Sequence, residues 1–163
     1  AKNGGHSVIT TAGQGGHEIL PAGDLVGVDC DLLVPAALEN MVDAKNAASV
    51  KAKLVLELAN GPVTAEADEI LAKKGVVILP DILANAGGVT VSYFEWVQNR
   101  QGYYWTEEEI HDRLRKIMER EGRAIWNVSI TKGVTVRTAA YVHALGRLAE
   151  AIEAHGTQSF FTS

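Results

Sequence analysis

Three short apolar segments, each cut off by proline or by an Asn-Gly-Pro turn, constrain this chain more than anything else in it. Cys30-Asp31-Leu32-Leu33-Val34-Pro35 ends at proline. Lys53-Leu54-Val55-Leu56-Glu57-Leu58 stops just before Asn60-Gly61-Pro62, and Val76-Val77-Ile78-Leu79 runs into Pro80. Runs of this length, rich in Leu, Val and Ile and bounded by turn residues, read as buried strands. Helical signals lie between them. A helical segment is expected around Ala37–Ser49. Thr64 can cap a second helix over Ala65–Lys74, and Gly75 stands where a C′ glycine ends one. Strand, helix, strand, helix, strand with short connections predicts an α/β fold: part of a Rossmann-like, doubly wound parallel sheet of three or four strands with right-handed crossovers.

The flanking regions differ in kind. Residues 1–27 are glycine-rich and read as a loop-rich lead-in, with a short strand at Ser7–Thr10. The glycines at 13, 15 and 16 do not form a dinucleotide fingerprint, because Gly-x-Gly-x-x-Gly from Gly13 requires glycine where Glu18 stands and no apolar strand leads into it. Residues 28–100 hold the strand–helix half of a dinucleotide-binding domain. Long helices follow over 101–155, and 156–163 read as a tail. Thr106-Glu107-Glu108-Glu109 is a capping box, after which Ile110, Leu114, Ile117, Glu121, Ile125 and Val128 keep helical spacing. A last helix is expected from about Arg137 to Ala154, with Val142, Leu145, Ala149 and Ile152 on one face.

Composition narrows the partners. Fifteen basic against twenty acidic residues among 163 give a net charge of −5, with no Lys/Arg-rich run. That balance argues against nucleic acid or an anionic membrane as partner. No apolar stretch approaches the ~20 residues that span a bilayer, and Ala1-Lys2-Asn3 shows no signal peptide. One cysteine, Cys30 between Asp29 and Asp31, permits no internal disulfide and fits a structural thiol in a reducing cytoplasm. The five histidines are scattered without metal-ligand spacing, so no metal site is expected. His143 reads as core-lining, and the aromatics between Tyr93 and Trp105 read as a packing hub.

In an open parallel sheet, ligands bind beyond the carboxyl ends of the strands. Three loops fall there: Pro35-Ala36-Ala37, Ala59-Asn60-Gly61-Pro62, and Asp81 to Ser92. The last contains Asn85-Ala86-Gly87-Gly88, where two glycines expose backbone N–H groups at the start of a helix. Either asparagine suits a plain turn. Each also offers a donor and an acceptor complementary to another carboxamide, such as that of nicotinamide. Glu57, Asp81 and Glu95 are carboxylates near these loops, with no histidine or lysine close in sequence. They read as ion-pair or capping groups and not as bases.

The series Pro35-Ala36-Ala37-Leu38-Glu39-Asn40, Ala59-Asn60-Gly61-Pro62, Glu66-Ala67-Asp68-Glu69-Ile70-Leu71 and Pro80 through Asn99 closely resembles glutamate dehydrogenase. Gly102 to Glu109 and Arg137-Thr138-Ala139-Ala140-Tyr141 extend the resemblance. The related leucine, phenylalanine and valine dehydrogenases share an Asn-Ala-Gly-Gly loop but not the Ala-Asn-Gly-Pro turn or the Ser-Tyr-Phe-Glu-Trp continuation. The resemblance implies reversible oxidative deamination of glutamate to 2-oxoglutarate and ammonia with NAD or NADP, in a homo-oligomer. It implies that Asn60 and Asn85 approach the nicotinamide end of the cofactor and that Ala36 is a backbone contact near its ribose. Ser92 is implied as the hydroxyl for the substrate's side-chain carboxylate, with Val89 lining the same pocket.

The family's substrate domain, with its catalytic lysine and aspartate, has no counterpart here, nor has the glycine-rich turn for the pyrophosphate. The expectation is therefore a fragment: the second half of the cofactor domain plus the C-terminal helices, inactive alone and with no catalytic residue of its own. The alternative is a non-catalytic binding or assembly module, a short paralogue that associates with full-length subunits.

Overall fold

The computed structural model describes residues 23–154. The expected strand at Ser7–Thr10 and the tail at 156–163 lie outside them. Three parallel strands form an open sheet: β1 (Leu32–Leu33), β2 (Leu54–Leu56) and β3 (Val77–Leu79), in that spatial order. Leu33 pairs with Val55, and Val55 with Ile78, so the central strand is flanked on both sides. Helix α1 (Ala65–Lys73) joins β2 to β3. The Thr64 hydroxyl accepts the Ala67 N–H, and Gly75 adopts a left-handed φ of +76° just past the helix. Both stops were expected, and both arise from local chemistry.

The connection from β1 to β2 corrects an expectation. Residues 37–49 form no α-helix; they run through turns to a single 3₁₀ turn at Ala47–Ser49. Three interactions outcompete the helix. Asn40 sits at φ +54°, which breaks a helical run, and Val42 forms a parallel bridge with Val63. The Asp43 carboxylate then accepts the N–H groups of Lys45 and Asn46, an Asx turn that satisfies the backbone locally.

After β3 come α2 (Asp81–Ala84), α3 (Ala86–Gln101), α4 (Glu107–Lys132) and α5 (Val136–Ala154). Asn85 separates the first two with φ −98° and ψ 1°. Gly102 and Gly133 end α3 and α4 at φ +66° and +63°. The Thr106–Glu109 capping box opens α4 as expected.

Successive strand residues face opposite sides of a sheet. Val55 and Ile78 belong to a core with Val42, Ala47, Val50, Ala67 and Leu71. Leu79 packs instead with Ile125, Val136, Ala139 and Ala140 of α4 and α5. The sheet is thus covered on both faces, the two-sided arrangement of doubly wound folds. Phe94 and Trp105 meet edge to face, but Tyr93, Trp96, Tyr103 and Tyr104 are exposed, so the aromatic hub shrinks to that one buried contact. Among the described residues no helix is long and apolar enough to cross a membrane.

Candidate functional site

The loops beyond the carboxyl ends of the strands are stitched together by backbone and side-chain bonds. The Pro35 carbonyl after β1 accepts the N–H groups of Leu58 and Ala59 after β2, at 3.1 and 2.9 Å. Ala36, exposed, follows directly. Gly61, at φ +55°, donates its N–H to Asp81 Oδ2 at 2.8 Å and accepts from the Asn40 N–H at 2.9 Å. The Asn60-Gly61-Pro62 turn is therefore held from both neighbouring loops.

Two of the asparagines meet. Asn85 Nδ2 donates to Asn60 Oδ1 at 2.7 Å, and to the Leu58 carbonyl at 3.4 Å. This explains the break between α2 and α3: with Asn85 outside helical geometry, its side chain turns back across the strand ends. A carboxamide pair joined by one bond leaves an unused carbonyl oxygen on one residue and N–H on the other, whichever way the amides are assigned. Among the described residues neither leftover group has a partner.

Along α3, Asn85, Val89 and Ser92 are four and three residues apart, which places them on one helix face. That face is open to solvent; Val89 is 75% exposed. The structure thus joins Asn60 to Asn85 directly and sets Ala36 on the adjacent strand end. Val89 and Ser92 stand further along the same helix, and among the described residues no hydrogen bond links Ser92 to either asparagine. Gly87 and Gly88 lie in the first turn of α3 as expected.

Glu57 and Asp81 are structural, as expected, but their shared partner is far away in sequence, and Glu95 makes no ion pair among the described residues. Glu57 is fully buried, and Arg137 of α5 grips it with two bonds, of 2.7 and 3.1 Å. Arg137 also reaches Asp68 of α1 at 3.2 Å and lies 3.9 Å from Asp81 Oδ1. Burial alone would make the guanidinium easier to deprotonate; the carboxylates of Glu57 and Asp68 outweigh it and hold Arg137 protonated more firmly than usual. Glu57, fully buried with both oxygens engaged, is out of a ligand's reach. Glu95 is exposed on α3.

A groove of about 540 Å³ opens beside Val89, between α2–α3 and α4–α5, lined among others by Ile82, Tyr93, Met118, Glu121 and His143. His143 corrects an expectation: its ring is bonded to Glu121 at 2.8 Å and does not line the core. Arg120 and Arg147 reach the same carboxylate at 2.7 and 3.2 Å. The His143 hydrogen bond first, then the two arginines, hold the Glu121 carboxyl below its ordinary range despite partial burial. Sequence reasoning placed Glu121 on an apolar helical stripe. The signal for the cluster was that misplaced acid, together with His143 and Arg147 one turn apart on the facing helix.

The profile of the family described as Glutamate/Leucine/Phenylalanine/Valine dehydrogenase matches residues 1–156, and the chain belongs to that family. It is 54% identical over 138 residues to the NADP-specific glutamate dehydrogenase of Synechocystis sp., covering 85% of this chain and 32% of that protein. It is 53% identical over 128 residues to the NAD-specific glutamate dehydrogenase of Clostridioides difficile, covering 78% and 30%. Among solved structures, the hetero-hexameric glutamate dehydrogenase from Thermus thermophilus in its Leu bound form superposes with a TM-score of 0.82 at 32% identity, over 91% of this chain and 36% of that one. Glutamate dehydrogenase from Peptoniphilus asaccharolyticus gives 0.71 at 45% identity, over 76% and 31%. The chain spans about a third of the length of the curated relatives it matches.

Proposed function

We propose that this chain forms the nicotinamide-side wall of the cofactor cleft in a cytoplasmic, homo-oligomeric glutamate dehydrogenase and supplies one contact to the substrate. The reaction is the reversible oxidative deamination of glutamate to 2-oxoglutarate and ammonia, with NAD or NADP. The observation that carries this reading is the Asn60–Asn85 hydrogen bond at the carboxyl end of the sheet. Its leftover carbonyl and N–H match the donor and acceptor of a nicotinamide carboxamide, so the residues present fit that group. When bound, the dinucleotide accepts hydride from the substrate carbon or returns it.

The chain's own residues orient. Asn60 and Asn85 hold the carboxamide, Ala36 offers backbone near the ribose, and Ser92 donates its hydroxyl to the side-chain carboxylate of glutamate while Val89 lines that pocket. With Asn85 and Ser92 two helical turns apart on one face, α3 presents cofactor and substrate to each other at a fixed spacing. Orientation of this kind lowers the entropic part of the barrier. Glu57 and Asp81 are bound by Arg137 and by backbone N–H groups, so proton transfer falls to groups outside this wall.

A chimera tests the assignment. Residues 24–154 replace the matching segment of the Synechocystis enzyme, and glutamate-dependent dinucleotide reduction is followed. Asn85→Ala is expected to raise the KM for dinucleotide more than that for glutamate, and Ser92→Ala to do the reverse. Loss of the Ser92 bond to a charged carboxylate, about 1.5–3 kcal/mol, corresponds to roughly ten- to a hundredfold, and loss of the neutral Asn85 bond, about 0.5–1.5 kcal/mol, to roughly two- to tenfold. An active chimera whose two KM values ignore both substitutions rules the assignment out.

A further inference from the structure

We infer that Arg137 is a positioning residue for the cofactor wall, setting from α5 the placement of the Asn60–Asn85 pair through Glu57 and Asp81. The inference rests on the reading of that pair as a dinucleotide contact and deepens it. The contacts form a continuous path. The Arg137 guanidinium binds both oxygens of Glu57 at 2.7 and 3.1 Å, and Glu57 Oε2 also accepts the backbone N–H of Asp81 at 2.8 Å. Asp81 Oδ2 accepts the N–H of Gly61, the residue after Asn60. Asp81 also opens the short helix that closes at Asn85. Asn85 donates its backbone N–H to the Asp81 carbonyl at 3.0 Å, and Asn60 reaches the Asp81 carboxylate through its neighbour Gly61.

The geometry is more specific than charge neutralisation requires. A buried carboxylate needs a cation; it does not need one that fixes both oxygens in a plane. A guanidinium fork does so, whereas an ammonium keeps the charge and loses the paired bonds. Because Glu57 Oε2 is shared between the fork and the Asp81 N–H, turning the carboxylate displaces Asp81, and with it both the Gly61 bond and the start of α2. The Nε bond to Asp68 Oδ1 at 3.2 Å and the proximity of Asp81 Oδ1 fix the guanidinium in turn. Movement of α5 is thereby delivered to the wall, 80 residues away in sequence from the residue that receives it.

The test uses the ¹⁵N-labelled 163-residue chain, titrated with NADH and, as the nicotinamide end alone, with nicotinamide mononucleotide. In the wild type the Asn60 and Asn85 side-chain amide signals shift on titration. In Arg137→Lys the spectrum stays folded, hydrogen-exchange protection of the Gly61 and Asp81 N–H groups falls at least tenfold, and affinity for NADH falls at least tenfold. The Ala67 N–H, bonded to the Thr64 hydroxyl in the first turn of α1, is unchanged. Arg137→Met/Glu57→Leu, which removes both charges, shows the same pattern if a lysine is not accommodated. A folded variant with wild-type protection at Gly61 and Asp81, or one that loses protection equally at Ala67, overturns the inference. If wild-type Asn60 and Asn85 ignore both ligands, the cofactor reading falls and takes the affinity effect with it, while exchange at Gly61 and Asp81 separately decides the coupling.

Discussion

Removing Arg137 should destabilise this fold far more than removing a lysine whose ion pair has a similar distance. Arg137→Met keeps the aliphatic stem but leaves Glu57, 0% exposed, with the Asp81 N–H as its remaining bond. Arg137 itself is only 20% exposed. Breaking a buried pair by deleting one partner costs about 3–5 kcal/mol, because the surviving charge stays desolvated. The Lys53–Asp31 pair is 2.9 Å long, yet its side chains are 86% and 87% exposed. Water screens such a pair to about 0–1 kcal/mol. A domain of this size has ~5–15 kcal/mol of stability in all, and each kcal/mol shifts Tm by roughly 2–4 °C. Arg137→Met should therefore lower Tm by about 6–20 °C, and Lys53→Met by no more than about 4 °C. Thermal unfolding followed by circular dichroism measures both. Replacing both partners, as Arg137→Met/Glu57→Leu, should recover much of the loss, since well-packed apolar groups often substitute for a buried pair. Equal, small losses for the two single variants would refute the reasoning, because burial would then not decide the value of an ion pair here.

Three other outcomes follow from the same geometry. Gln98, buried in α3, accepts the Trp105 N–H at 2.6 Å, so Gln98→Leu strands that donor and should cost about 1–3 kcal/mol in urea unfolding. Gly61 sits at φ +55° with open space where a Cβ would go, so Gly61→Ala meets no clash and should cost only the backbone strain, about 1–2 kcal/mol, with Gly61→Asn costing less. The Glu121 carboxyl titrates below its ordinary value of 4.5, chiefly through its His143 hydrogen bond. A depressed carboxylate adds stability that is complete above the unfolded value and is lost as pH falls through the folded one. Urea midpoints should thus hold steady above about pH 5 and decline below it, with a smaller decline in His143→Ala.

What the sequence made legible was local. Thr64 and Gly75 bracket α1, and Thr106 with Glu109 opens α4, because each signal lies within four residues of the group it satisfies. The three strands were visible because an apolar run ending in proline has few other uses. The segment at 37–49 misled for the opposite reason: its alanines favour a helix, but Val42 is claimed by Val63 and Asp43 by its own Asx turn. Asn60 and Asn85 were visible as candidates, and their contact followed from neighbouring strand ends. Arg137 was visible only as part of a motif. Nothing in the residues around it foretells that it will meet Glu57, Asp68 and Asp81, since that meeting depends on α5 returning to the sheet.

The division of labour in this wall follows from where its charges are spent. A proton-transfer group must be within reach of a ligand and free to change its ionisation. Of the carboxylates at the strand ends, Glu57 is buried under Arg137, out of a ligand's reach, and Asp81 is occupied by the N–H groups of Gly61 and Ile82. Glu121 is engaged by three cationic or hydrogen-bonding partners in a separate groove. The groups assigned to the proposed wall are neutral: the Asn60 and Asn85 carboxamides, the Ser92 hydroxyl and Val89, with Glu95 the exposed carboxylate one turn beyond Ser92. Neutral donors and acceptors recognise and align without competing for protons, and rigid support from a buried ion network keeps them aligned. On the proposed reading, a surface organised in this way would orient cofactor and substrate. Its charges serve to hold the neutral groups still.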